Sequence, residues 1–283
     1  MKLGFSKLPS PESFEHAGRR IAYRVIGDGP RTLVFTHGLL MDVRMFTRLA
    51  PKLAKHGHRV VLVDMLGHGA SDQPHDMASY SMPQFGADVI ALLDHLKLDQ
   101  AVIGGTSLGA NVSLEAALFA PERVRALVIE MPVLENGLTG AALLFVPLAL
   151  AIRVSHRAMG VLARVMRLVP RSHYNVDMML DFVRRDPLTS LAVLDGITFG
   201  RVAPPSRLRR TLDHPALVIG HASDPIHPFN DADTLTNEMA NARLVEARSI
   251  AEWHLWPRRL DRELLGFLDE AWAPRSVRAK SAG

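Results

Sequence analysis

Apolar positions along the chain alternate between two rhythms. Short continuous runs, Thr32-Leu33-Val34-Phe35-Thr36 and Arg59-Val60-Val61-Leu62-Val63-Asp64 among them, read as strands buried on both faces. The same reading takes in 101–104, 124–131 and 215–219, with a shorter strand at 243–246. Between these runs the period lengthens to that of a helix. Phe85, Val89, Leu92, Leu93 and Leu96 place one apolar face on a helix over 82–96, and helices are expected at 44–55, 108–120, 231–239 and 259–272. Strands at 14–15 and 21–26, turned by Ala17-Gly18, precede the alternation. Strand–helix alternation predicts an α/β fold with a doubly wound, mostly parallel sheet. The rhythm breaks at 132–205, where helical stretches rich in Leu, Ala, Met and Arg hold no apolar β-run. The expected organisation is a core in two parts, 1–131 and 206–274, an inserted helical cap at 132–205, and a flexible tail at 275–283.

Composition narrows what such a fold can do. At 283 residues and 48% hydrophobic positions, one large domain with an insertion can bury a sizeable core. The net charge of +4 comes from scattered bases rather than a basic stripe interleaved with aromatics, which argues against a nucleic-acid partner. Absence of cysteine excludes disulfides, thiol catalysis and thiolate metal sites. No nucleotide-binding glycine pattern and no H-E-x-x-H spacing occur, so no cofactor and no metal are expected. The first residues lack the apolar run of a signal peptide, and a cytoplasmic location is expected. The uncharged stretch 138–152 is too short to span a bilayer, contains Gly140 and Pro147, and runs into Arg153, His156 and Arg157. It is read as a cap helix over a cleft, without stable membrane insertion. The expected partner is a small apolar molecule; the sequence does not fix the oligomeric state.

Candidate chemistry centres on Gly105-Thr106-Ser107-Leu108-Gly109, between a buried strand and a helix. This is the G-x-S-x-G pattern of a nucleophile elbow, which exposes a serine oxygen on a strained turn crowded enough to need glycine on either side. A serine hydroxyl needs a base, and the base an orienting acid. Asp224, in a loop after an apolar strand, is the candidate acid. His254, after the last short strand, is the candidate base. Glu130, at the end of the strand that follows the elbow helix, is the reserve acid. The order Ser107, Asp224, His254 is the Ser…Asp…His order of one hydrolase class.

With these residues in place, the chain resembles the α/β-hydrolase family from about Phe14 to Trp272. Thr36-His37-Gly38-Leu39 is similar to the family's oxyanion loop. Asp64-Met65-Leu66-Gly67-His68-Gly69-Ala70-Ser71-Asp72 is similar to its D-x-x-G-H-G-x-S-D segment. The resemblance implies an oxyanion hole from the backbone N–H groups of Leu39 and Leu108, with His37, His68 and Asp72 bracing loops. Serine at 107 disfavours the members with an aspartate nucleophile, haloalkane dehalogenases and epoxide hydrolases. Trp253 stands where the family usually has glycine before its histidine, and it is read, with Met159 and Met166, as a wall of the substrate pocket. The expected function is a serine hydrolase of small to medium apolar esters, thioesters or lactones. A C–C hydrolase or cofactor-free haloperoxidase on the same triad is the alternative, and a ligand receptor with a vestigial site is the rival from another class.

Overall fold

The computed structural model describes residues 8–170, 174–222, 224, 227–249 and 252–273; the side chains of 174–176, 178, 179, 254 and 255 also lie outside the described set, as does the expected tail. Eight strands form one sheet: β1 (Glu12–His16), β2 (Arg19–Ile26), β3 (Arg31–Thr36), β4 (His58–Asp64), β5 (Ala101–Thr106), β6 (Val124–Glu130), β7 (Ala216–His221) and β8 (Ala242–Ala247). Their spatial order is β1-β2-β4-β3-β5-β6-β7-β8. Only the β1–β2 and β2–β4 pairs are antiparallel; from β4 to β8 every pair is parallel.

Alternation along the central strands fills two core layers. On one face Val34, Val63, Ile103, Leu127 and Val218 pack together. On the other, Leu33, Leu62, Val102, Val128 and Leu217 pack with the C-terminal helix. Burial on both faces is why these strands read as unbroken apolar runs. The helices α1 (Leu49–Lys55), α2 (Met82–His95) and α3 (Leu108–Phe119) lie between strands. The helix expected over 44–55 is a short 3₁₀ turn, Val43–Phe46, capped by the Asp42 side chain and followed by α1.

Among the described residues, the elements between β6 and β7 are all helices: α4 (Gly137–Leu168), α5 (Tyr174–Arg184), α6 (Pro187–Thr198) and α7 (Ser206–Arg209). Helix α4 is interrupted at Ser155, whose φ of −150° and ψ of 65° leave helical space, and Pro147 lies inside it. Asn111 on α3 holds both ends of this insertion. Its amide donates to the carbonyls of Val133 at 2.7 Å and Val202 at 2.9 Å. After β7 come α8 (Phe229–Glu238), α9 (Glu252–Leu255) and α10 (Arg258–Trp272). Asp231 of α8, fully buried, accepts from the backbone N–H groups of Leu134 and Gly137 at 2.7 and 2.8 Å and so anchors the start of α4. The buried guanidinium of Arg209 bridges Glu238 and Glu135, fixing the return to the sheet.

Candidate active site

Strand β5 ends at Thr106 and α3 begins at Leu108, leaving Ser107 alone on the corner with φ 56° and ψ −112°. A non-glycine residue held there stores strain of about 1–3 kcal/mol. The surroundings impose it: Ser107 N–H donates to the Glu130 carbonyl at 2.8 Å, and its own carbonyl accepts from Asn111 N–H at 3.2 Å. A Cβ on Gly105 would lie 2.5 Å from the carbonyl carbon of Gly109, and one on Gly109 would lie 2.1 Å from the Thr36 oxygen. Neither position admits a side chain.

Among the described residues, the ring beside Ser107 is that of His227, not the expected His254. The Ser107 hydroxyl donates to His227 Nε2 at 2.8 Å, and His227 Nδ1–H donates to Asp224 Oδ2 at 2.9 Å. The other oxygen of Asp224 accepts from the His227 backbone N–H at 3.1 Å. Acid and base thus share one loop between β7 and α8, three residues apart, and Asp224 sets both the loop and the imidazole tautomer. Asp224 is buried and His227 partly so. The order serine, aspartate, histidine still holds, with His227 in the last place. His254 lies in the short helix α9, and its side chain lies outside the described residues.

The loop after β3 is braced by two neutral histidines. His37 Nε2 accepts from Met65 N–H and His68 Nε2 accepts from Leu40 N–H, each at 3.1 Å. Burial lowers the pKa of both; for His68, which falls well below its ordinary value, the charge of Arg185 adds to it. Leu40 is held at φ 56°, and Leu39 and Leu108 both face the cavity described below. As the first helical residue of α3, Leu108 presents an N–H that has no acceptor within its helix.

Glu130 is engaged elsewhere than at His227. Its carboxylate accepts from Thr106 Oγ1 at 2.5 Å and from His221 Nε2 at 3.1 Å. His221, with Nδ1 facing the Ser249 carbonyl, is buried. Burial pulls its pKa down, but the hydrogen bond and charge of Glu130 outweigh that and hold it above the ordinary value. This pair sits directly behind the elbow. It ties together the ends of β5, β6 and β7.

A cavity of about 540 Å³ opens over Ser107 and His227. Its body side is Leu39, Leu108 and Asn111; its roof is Phe145 and Ala149 of α4 with Leu194 and Ile197 of α6. The walls are mostly apolar. Met159, Met166 and Trp253, expected at the pocket, do not line this cavity. Both methionines lie past the break at Ser155, where the helix changes course. Trp253 is buried in the opposite core layer and donates Nε1–H to Asp261 at 2.8 Å.

An eight-stranded, mostly parallel sheet with a strained serine at a strand–helix corner defines an α/β-hydrolase fold. Residues 31–151, somewhat less than half of the chain, match the family described as alpha/beta hydrolase fold. A stretch of 120 residues is 35% identical to the dihydrolipoyllysine-residue acetyltransferase component of an acetoin cleaving system from Pseudomonas putida, covering 42% of this chain and 32% of that protein. Another of 109 residues is 37% identical to bifunctional epoxide hydrolase 2 of Sus scrofa, 38% of this chain and 20% of that protein. The chain therefore aligns with a third or less of these curated relatives. An enol-lactonase from Burkholderia xenovorans superposes with a TM-score of 0.73 at 23% identity, over 91% of this chain and 98% of that one, a likeness of fold.

Proposed function

We propose that the chain is a serine hydrolase that cleaves small to medium apolar esters, thioesters or lactones through an acyl-enzyme. The observation that carries this reading is the unbroken hydrogen-bond chain from Ser107 through His227 to Asp224 at the floor of an apolar cavity. His227 Nε2 takes the Ser107 proton as Oγ attacks the carbonyl, and Asp224 stabilises the imidazolium that results. The N–H groups of Leu39 and Leu108 hold the oxyanion, and a donor so placed contributes about 3 kcal/mol to lowering the barrier. His227 then protonates the leaving group and activates the water that releases the acyl group.

The epoxide hydrolase likeness supports the scaffold rather than the reaction, since the elbow carries serine and not an aspartate nucleophile. The enol-lactonase likeness supports including lactones among the substrates. A fluorophosphonate probe tests the reading: it should label the protein at Ser107 and fail to label Ser107→Ala. Labelling that persists in the variant would move the nucleophile away from Ser107, and absence of labelling from the wild type would leave a ligand receptor as the better account.

A further inference from the structure

An 18-residue window of helix α4 is apolar enough to cross a bilayer by length and composition, with a mean hydropathy of 1.9, yet only 17% of that window is buried. The helix's inward side chains, Ala149, Ile152 and Ala163, pack against the protein. The outward ones do not. Leu143 is 75% exposed, Val154 86% and Leu168 79%, with Val146, Leu150, Val161 and Val165 about half exposed. At 3.6 residues per turn, Leu143, Val146, Leu150 and Val154 fall on one face before the break at Ser155, and Val161, Val165 and Leu168 on one face after it.

Charge says what covers this surface. Between Glu135 and Asp177 the sequence holds Arg153, Arg157, Arg164, Arg167 and Arg171 and no acidic residue. Arg153 pairs with Asp195 and Arg167 bonds a backbone carbonyl. Arg157 and Arg164 are exposed beside the second stripe, with no carboxylate partner among the described residues. Large apolar side chains flanked by unpaired arginines are the makeup of a helix that lies in the plane of an anionic lipid surface. The chain's own C-terminal tail, carrying Arg275, Arg278 and Lys280, has the wrong sign to cover it. The position of Val146 adds direction: it belongs to the exposed stripe and also lines the cavity over Ser107.

We propose that the outer face of α4 docks on an anionic phospholipid bilayer, so that an apolar acyl substrate enters the cavity beside Val146 from the lipid. Delivery of substrate rests on the hydrolase reading; docking does not. The break at Ser155, Pro147 and the packed inner face fit a helix lying along the surface rather than crossing it.

The test is co-sedimentation of the full chain with vesicles of phosphatidylcholine alone and of equal parts phosphatidylcholine and phosphatidylglycerol. Wild type should partition onto the mixed vesicles and fall off as salt is raised. Arg157→Gln with Arg164→Gln should weaken partition about 25-fold, about fivefold for each arginine removed near an anionic surface. Leu143→Asp with Leu150→Asp should weaken it by at least about tenfold. Fluorophosphonate labelling of Ser107 and turnover of a water-soluble nitrophenyl ester, both unchanged in these surface variants, would show that they are folded. Absence of wild-type partition overturns the proposal, as does partition indifferent to both double variants. It is likewise overturned by sedimentation equilibrium that finds a dimer, dissociated by the leucine changes, and no vesicle binding. Vesicle binding by a protein that no fluorophosphonate labels would uphold docking while defeating the hydrolase reading.

Discussion

The elbow and the helix above it solve opposite problems with similar residues. Around Ser107, β5 and α3 are almost wholly buried, and Gly105 and Gly109 sit so close to neighbouring backbone that a single methyl group would not fit. Helix α4 is as apolar, but most of its outward side chains meet solvent, and a Cβ on Gly160 would touch nothing within 4 Å. One region gives up sequence freedom to hold a strained serine in register with its base. The other carries no such crowding at Gly160, and it roofs the cavity over Ser107. On the proposed reading, chemistry is built into the body and selectivity into the insertion.

Matched substitutions should separate the two. Gly109→Ala drives a methyl group into the Thr36 carbonyl and should cost at least about 3 kcal/mol in urea unfolding, or block folding. Gly160→Ala, in the open, should be neutral or stabilise by up to about 1 kcal/mol. Equal costs would erase the contrast.

Histidine titration should report on the body around the elbow. His221 has a raised pKa in the fold, so its pairing with Glu130 stabilises fully below the unfolded value near 6.5 and is lost as pH rises through the folded value. The stability difference between wild type and His221→Asn should therefore be largest at or below that pH, at about 2 kcal/mol, and shrink above it. His37 and His68, with lowered pKa values, run the other way: their contribution is complete above about 6.5 and fades as pH falls below it. Thermal melts across pH check both signs; a His221 difference that grows with pH would contradict the assignment.

On the cap side, Phe145→Ala should change selectivity more than stability. Enlarging the roof should shift KM across a series of nitrophenyl esters by about tenfold between short and long acyl chains, roughly 1.4 kcal/mol. An unchanged chain-length profile would remove α4 from substrate choice.

The same contrast explains what was legible in the sequence. Strands β3 to β7 stood out because burial on both faces leaves no polar alternation to blur them, and the elbow because crowding forces glycine at 105 and 109. Asp224 was visible from its place after an apolar strand. His227 carries no such mark, although it stands in the same loop. Chain order and spacing favoured a histidine after the last strand, and no periodic pattern says which loop imidazole turns inward. The available signal was local: an acid three residues before a histidine can bond its backbone N–H and its ring together, as Asp224 does. The pocket wall differs from the expectation for a related reason. Met159 and Met166 continue the helical register of Phe145, but the break at Ser155 turns them away from this cavity.

The choice of base is the central claim, and steady-state kinetics of two single variants tests it most directly. His227→Asn should lower kcat for a nitrophenyl ester by about 10⁴-fold or more, as loss of the base from a serine triad does. His254→Asn should stay within about tenfold of wild type, since a residue outside the proton path perturbs the site only indirectly. The reverse result, a collapse at His254 with His227→Asn nearly as active as wild type, would contradict the account and return the proton to His254.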